Sequence, residues 1–186
     1  RYQIFNEYMT ADFQLNPGQP VHYKAVVYEI PLHRQHWYNW PVSGSRIISN
    51  GCHWIDQFMY LNNYAACEHA EARRLNKDEL LLILQLSNGA SGVITLSDVG
   101  ANRIGMREYV ELAIPGKRIT IIDSMWYKSE TDHKILRKAK TDKLHYLRRM
   151  YKHIGQSVVS KSGGDAIESL RSSFVAIALD EQFRNL

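Results

Sequence analysis

His53 stands in a setting suited to proton transfer near neutral pH. It lies in Gly44-Ser45-Arg46-Ile47-Ile48-Ser49-Asn50-Gly51-Cys52-His53-Trp54-Ile55-Asp56, where small residues lead into an amphipathic run. Ile55, Phe58 and Met59 recur at helical spacing, so the pattern predicts a short helix beginning near Gly51 with His53 in its first turn. The positive end of the helix dipole there favours the neutral imidazole, which is the form a general base needs. The other reading of such a histidine is a packed or capping residue.

The groups around it suit a hydroxylated ring. Trp37, Trp40 and Trp54 offer flat apolar surface for stacking, and Arg34 or Arg46 suits a carboxylate or phosphate, the other reading of these residues being ordinary core packing. Ser49 and Asn50 add hydrogen-bonding groups beside the histidine. These considerations make Trp37, Arg46, Ser49 and Asn50 the candidate substrate-binding set and His53 the candidate catalytic residue. A metal site is not expected. His33, His36, Cys52, His53, Cys67 and His69 lack the C-x-x-C or His-x-x-x-His spacings that hold zinc. No Gly-x-Ser-x-Gly elbow is present, so a hydrolase has no local support.

The elements that must position these groups follow from periodicity. Ile4, Phe5, Tyr8 and Met9 mark a first helix, ended by Asn16-Pro17-Gly18. Val21 to Ile30 reads as a strand stopped by Pro31, and Leu32 to Ser45 as an irregular aromatic loop of the kind that lines sites. After the His53 helix come strands over Cys67 to Leu75 and Glu79 to Ser87, with Asn88-Gly89 turning the chain into Gly92 to Val99. A second hairpin spans Tyr109 to Ile122 about Pro115-Gly116, and Met125 to Ala139 adds one or two edge strands. Lys143 to Gln156 reads as a helix, Ser160 to Gly164 breaks it, and a final helix begins at Asp165. In that helix Ile167, Leu170, Phe174 and Ile177 are expected to face the sheet, with Glu168, Arg171 and Glu181 toward solvent.

The sum is a single α+β domain over residues 1–186: an open, mostly antiparallel sheet with helices packed on one face. The composition is that of a folded globular chain, and no run approaches the length of a membrane span. No signal peptide is seen and the two cysteines describe no disulfide framework, so the expectation is a cytoplasmic protein with reduced thiols. The net charge of +4 comes largely from Lys134 to Lys152 and has no nucleic-acid motif beside it; neither nucleic acid nor membrane is an expected partner.

Gly51-Cys52-His53-Trp54-Ile55-Asp56 matches a Gly-x-His-x-x-Asp motif, preceded by the His36-Trp37 pair and followed by a hairpin around Ser87-Asn88-Gly89-Ala90, a Pro-Gly turn and a terminal helix. In that order the chain resembles, over essentially its whole length, the C-terminal domain of the Gfo/Idh/MocA oxidoreductases. The resemblance implies a substrate-binding and oligomerising domain of an NAD(P)-dependent enzyme acting on a sugar, sugar derivative or cyclic polyol. His53 would exchange a proton with a substrate hydroxyl while hydride leaves the same carbon. It also implies a homodimer or higher homo-oligomer built through the sheet. Two departures stand out. Ser49 occupies the position where many members carry an aspartate, and neither Gly-x-Gly-x-x-Gly nor Glu-Lys-Pro is present. NAD or NADP is therefore expected in the full-length protein and not on this chain alone. The alternative is a non-catalytic module that dimerises through its sheet or binds a ligand.

Overall fold

The computed structural model describes residues 3–100, 103, 105–160 and 166–185. Eight strands form one sheet in the order β2-β3-β4-β1-β5-β6-β7-β8. In chain order they are β1 (His22–Tyr28), β2 (Cys67–Arg74), β3 (Glu79–Leu86), β4 (Ser91–Ser97), β5 (Arg107–Ile114), β6 (Lys117–Ile122), β7 (Trp126–Thr131) and β8 (Ile135–Lys140). Four helices accompany them: α1 (Gln3–Phe13), α2 (Cys52–Leu61), α3 (Lys143–Ser160) and α4 (Ala166–Arg184). All neighbouring strands are antiparallel except β1 and β4, which run parallel with Tyr28 beside Ser97.

Period-two alternation sends one set of side chains to the helix layer. Tyr23, Ala25, Val27, Leu80, Leu82, Leu84, Ile94, Leu96, Val110, Leu112, Ile119, Ile121 and Tyr127 are all buried there, against Phe5, Met9, Trp54, Ile55, Phe58 and Met59 of α1 and α2. Among the described residues the opposite face carries no helix, and Val93, Tyr109 and Trp126 are exposed on it. Ile4 and Ile167, assigned to helix faces from the sequence, have side chains outside the described residues.

α2 lies on the sheet with its start near Leu82 and Leu96, which a Cβ at Gly51 would touch, and its end over Gly92. A Cβ at Gly92 would sit 2.9 Å from the Phe58 ring. The Gly92→Ala substitution is expected to displace that fully buried ring and lower unfolding free energy by about 1–3 kcal/mol, read from the denaturant midpoint. The end of α2 is clasped by Asn62, whose side chain donates to the Val21 and Phe58 carbonyls (both 3.0 Å) and accepts from the Val21 amide (2.9 Å).

α4 corrects the sequence expectation. Leu170, Phe174 and Ile177 are exposed, and the face turned inward carries Ser172, Ala176, Leu179 and Asp180. The helix is apolar on both sides, so a three-four spacing does not single out one face. The polar members of the inner face find partners: Ser172 donates to Asp56 Oδ1 (2.6 Å), and Asp180 accepts from the Ser45 amide (2.8 Å) and pairs with Arg184 (2.8 Å). α3 lies outermost, meeting α1 through Arg149 and Glu7.

Candidate functional site

The C-terminal ends of the parallel strands β1 and β4 meet at one edge of the sheet, and two carboxylates follow them directly: Glu29 after Tyr28 and Asp98 after Ser97. The Glu29 amide donates to Ser97 O (2.8 Å), and the Gly100 amide returns to Glu29 O (3.0 Å), locking the two ends together. Glu29 is buried. A buried carboxylate needs a counter-charge, and Arg46 supplies it, pairing with both Glu29 and Asp98. Burial pushes the Arg46 guanidinium down to about 10, so at neutral pH it remains the cation between two acids. Asn50 Nδ2 donates to the other Glu29 oxygen at 2.6 Å.

Arg46 and Asn50 reach this point because the segment before α2 is already helical. Ser45 opens it, its hydroxyl accepting from the Ile47 amide (3.1 Å) and its carbonyl from the Ile48 and Ser49 amides. Ile47–Gly51 then forms a π-helical turn that runs into α2 without a break. Single π turns inside helices recur at functional sites. This moves the helix N-terminus to Ser45, two turns ahead of His53. The dipole acts mainly within the first turn, so it does not set the protonation of His53; it favours the Asp180 carboxylate bound to the Ser45 amide instead.

His53 is partly buried in the first turn of α2, with Nδ1 3.6 Å from Cys52 Sγ. Ser49 precedes it by four residues and is buried, with its hydroxyl unpaired among the described residues. Asp56, the acid of the Gly-x-His-x-x-Asp motif, accepts from Ser172 and from Tyr64 (3.3 Å), so it ties α2 to α4.

A cavity of about 580 Å³ opens at this edge, bounded by the aromatic loop, the β2–β3 turn and the end of α4. Tyr38, Trp40, Arg46, Asp98, Arg74 and Arg184 are among its walls. Of the sequence-predicted set, Arg46 lines it; His53 does not. Trp37 is 51% exposed and stacks on His36, Trp40 is exposed at the cavity rim, and Trp54 is buried in the core. The three tryptophans therefore form no common wall. Arg46, expected to meet a ligand anion, is already paired with two carboxylates of its own chain.

Glu29 and Asp98 were missed because their closeness depends on β1 and β4 being neighbours, which a sequence of hairpins does not imply. Their one local signal is an acid placed directly after each apolar strand. A further buried carboxylate, Glu108, accepts from Ser124 at the same end of the sheet. Among the described residues no three His, Cys, Asp or Glu side chains gather as a metal site, and both cysteines are free thiols.

No family model matches the sequence, and no curated protein matches it. Solved structures do. UDP-N-acetylglucosamine 3-dehydrogenase GnnA from Acidithiobacillus ferrooxidans superimposes with a TM-score of 0.72 at 12% identity, over 95% of this chain and 56% of its own. The fold is that of the Gfo/Idh/MocA C-terminal domain. An oxidoreductase from Agrobacterium radiobacter, solved with NAD+, L-tartaric acid and magnesium, matches with a TM-score of 0.68 at 13% identity, over 96% of this chain and 59% of its own. A dehydrogenase, MviM, from Clostridium difficile matches with a TM-score of 0.67 at 13% identity, over 90% and 55%. The chain thus spans less than three fifths of the length of each of these oxidoreductases.

Proposed function

We propose that this chain is the substrate-binding and oligomerising domain of an NAD(P)-dependent oxidoreductase acting on a sugar, sugar derivative or cyclic polyol. The single observation that supports the reading is a π turn, two residues before His53, whose Asn50 meets Glu29 beside the Arg46 and Asp98 pair, in a fold shared with solved oxidoreductases.

The parallel pair β1 and β4, the one such pair among the described residues, carries no glycine-rich turn onto a helix N-terminus, which supports a dinucleotide held outside this chain. The nicotinamide, which would take the hydride, is held elsewhere in the polypeptide in this reading. What this chain contributes is a proton acceptor, His53, for a substrate hydroxyl, and an edge of carboxylates and amides that accept from and donate to further hydroxyls. Arg46 acts as the brace that holds Glu29 and Asp98 in place. Ser49, small and uncharged, leaves the imidazole without a carboxylate on that side.

The test is made on the complete encoded polypeptide: reading the sequence upstream of Arg1 for a dinucleotide-binding half, then assaying NAD(P) reduction with a panel of polyols and sugars. An unrelated upstream domain would remove the basis of the proposal.

Oligomerisation belongs to the helix-free sheet face. Val93 and Tyr109 are exposed on it, and Tyr28 packs edge-on against Tyr109. This face, which sets Val93 and Tyr109 beside the Lys24–Glu111 and Arg118–Glu111 pairs, suits a second copy related by a two-fold axis. Val93→Asp combined with Tyr109→Asp is expected to convert a dimer to monomer in light scattering, whereas His53→Ala leaves assembly unchanged. A polypeptide that dimerises this way and reduces no cofactor would support the non-catalytic module instead.

A further inference from the structure

Resting on the reading above, we infer that the cavity between the aromatic loop, the β2–β3 turn and the end of α4 is a subsite for a second, non-reacting sugar ring. The substrate is then a neutral glycoside of at least two rings rather than a free monosaccharide. Arg46 lines the cavity, and His53 follows it on one continuous helical run. At about 1.5 Å of rise per residue the two stand about 10 Å apart along the axis. A single ring whose hydroxyl meets His53 does not reach the cavity; a second ring joined to it does. The cavity volume of about 580 Å³ falls in the range, roughly 300–1,000 Å³, of sites that enclose a molecule larger than one pyranose.

The walls of this cavity carry an aromatic platform and fixed polar groups. Trp40 is 54% exposed at its rim, on a backbone held by bonds from its own amide to Trp37 O (3.0 Å) and from the Ser43 amide to its carbonyl (2.9 Å). An indole presented this way offers its electron-rich face to the C–H bonds of a sugar ring. Opposite, the β2–β3 turn is fastened by the Asp78 amide donating to Asn76 Oδ1 (2.8 Å) and by the Asp98 amide donating to Asp78 O (2.8 Å). Arg74 lies over the Phe183 ring at 4.4 Å, and Arg184 is held by Asp180 at 2.8 Å. Groups fixed before binding lose little freedom when a ligand arrives.

Charge sets the class of ligand. The cations of these walls are largely matched within the chain: Arg46 pairs with Glu29 and Asp98, Arg184 with Asp180, and Lys77 lies 3.9 Å from Asp78. Such a balance gives a phosphate no strong attraction. Neutral hydroxyls, which both donate and accept, suit it: the guanidinium of Arg74 donates and the carboxylate of Asp78 accepts. A flat aromatic beside alternating donors and acceptors is the chemistry of a sugar ring, with one apolar face and a polar rim.

Saturation-transfer NMR on the 186-residue chain, with maltose, cellobiose and lactose as probes at millimolar concentration, tests this. At least one disaccharide is expected to receive transfer, and Trp40→Ala to weaken its binding on the order of tenfold. Arg74→Gln should weaken it as well, so the test does not hang on one variant, while Trp126→Ala, on the other face of the sheet, leaves it unchanged. Absence of transfer from all three disaccharides overturns the inference, as does transfer equal in wild type, Trp40→Ala and Arg74→Gln. Displacement of the disaccharide by millimolar inorganic phosphate also overturns it and assigns the cavity to an anion. NAD(P) reduction by the complete encoded polypeptide reports on the oxidoreductase reading separately: reduction with a sugar but no disaccharide binding refutes the subsite alone, and disaccharide binding without reduction refutes the oxidoreductase reading and leaves the saccharide site standing.

Discussion

His53→Ala in the complete polypeptide is expected to lower kcat by about 10²–10⁴-fold, the range for loss of a positioned general base, with folding and cofactor affinity unchanged. His53 is only partly buried, its ring meeting Cys52 Sγ at 3.6 Å among the described residues. A variant that keeps the wild-type rate would show that His53 is a packing residue and that the proton goes elsewhere at this edge. Glu29 and Asp98 would then be the groups to replace next.

Asp12→Ala is the substitution expected to cost most in stability, about 3–5 kcal/mol, as for breaking a buried ion pair by removing one partner. Asp12 is buried at the end of α1, where its carboxylate accepts from Tyr127 (2.9 Å), Ser129 (2.6 Å) and Arg137 (3.0 to 3.2 Å). Lys117 adds bonds to the Asp12 and Phe13 carbonyls (3.0 and 2.8 Å), so this one corner fastens α1 to β6, β7 and β8. Removing the carboxylate leaves the Tyr127 and Ser129 hydroxyls without an acceptor in the core. The same corner gives an acid signature. Burial raises the Asp12 carboxyl, but the bonds from Arg137, Ser129 and Tyr127 overcome it and hold the group below its ordinary value. A carboxyl depressed in the folded state contributes stability that is complete above the unfolded value of about 3.9 and is lost as pH falls through the folded one. The difference in unfolding free energy between wild type and Asp12→Ala should therefore be constant near neutrality and shrink only below about pH 4. A difference that stays constant down to strong acid would show that the carboxylate charge plays no part.

How far these groups can be read from sequence differs with the physics involved. Strand alternation survives in local pattern, so Val110, Leu112 and Ile114 of β5 are buried as their spacing implies, whereas Met125 to Ala139, read as one or two edge strands, holds two, β7 and β8. The hairpin at Asn88-Gly89 is equally local, with Gly89 at φ +84° where the turn requires it. α4 defeats the same method because both of its faces are apolar; Leu170, Phe174 and Ile177 are as regular as Ala176 and Leu179, and only the tertiary partners Asp56 and Ser45 decide between them.

The helix that carries His53 is legible from the spacing of Ile55, Phe58 and Met59, and forms over Cys52–Leu61. Its surroundings are not. The Arg46 pairing with Glu29 and Asp98 joins residues 17 and 52 positions away through a parallel strand contact, and the π turn that aims Asn50 at Glu29 leaves no compositional mark. The dipole argument for a neutral His53 fails for a related reason: the residues before Gly51 are helical although they carry Ser, Asn and Gly, because Asp180 of a distant helix caps the Ser45 amide.

The most direct measurement of the central claim is the appearance of reduced nicotinamide when the complete encoded polypeptide is incubated with NAD or NADP and a panel of sugars and cyclic polyols, run beside His53→Ala. The account predicts cofactor reduction with at least one hydroxylated ring substrate and its loss in the variant. Absence of reduction with every substrate and both cofactors, in a polypeptide that is folded and assembled, would contradict it.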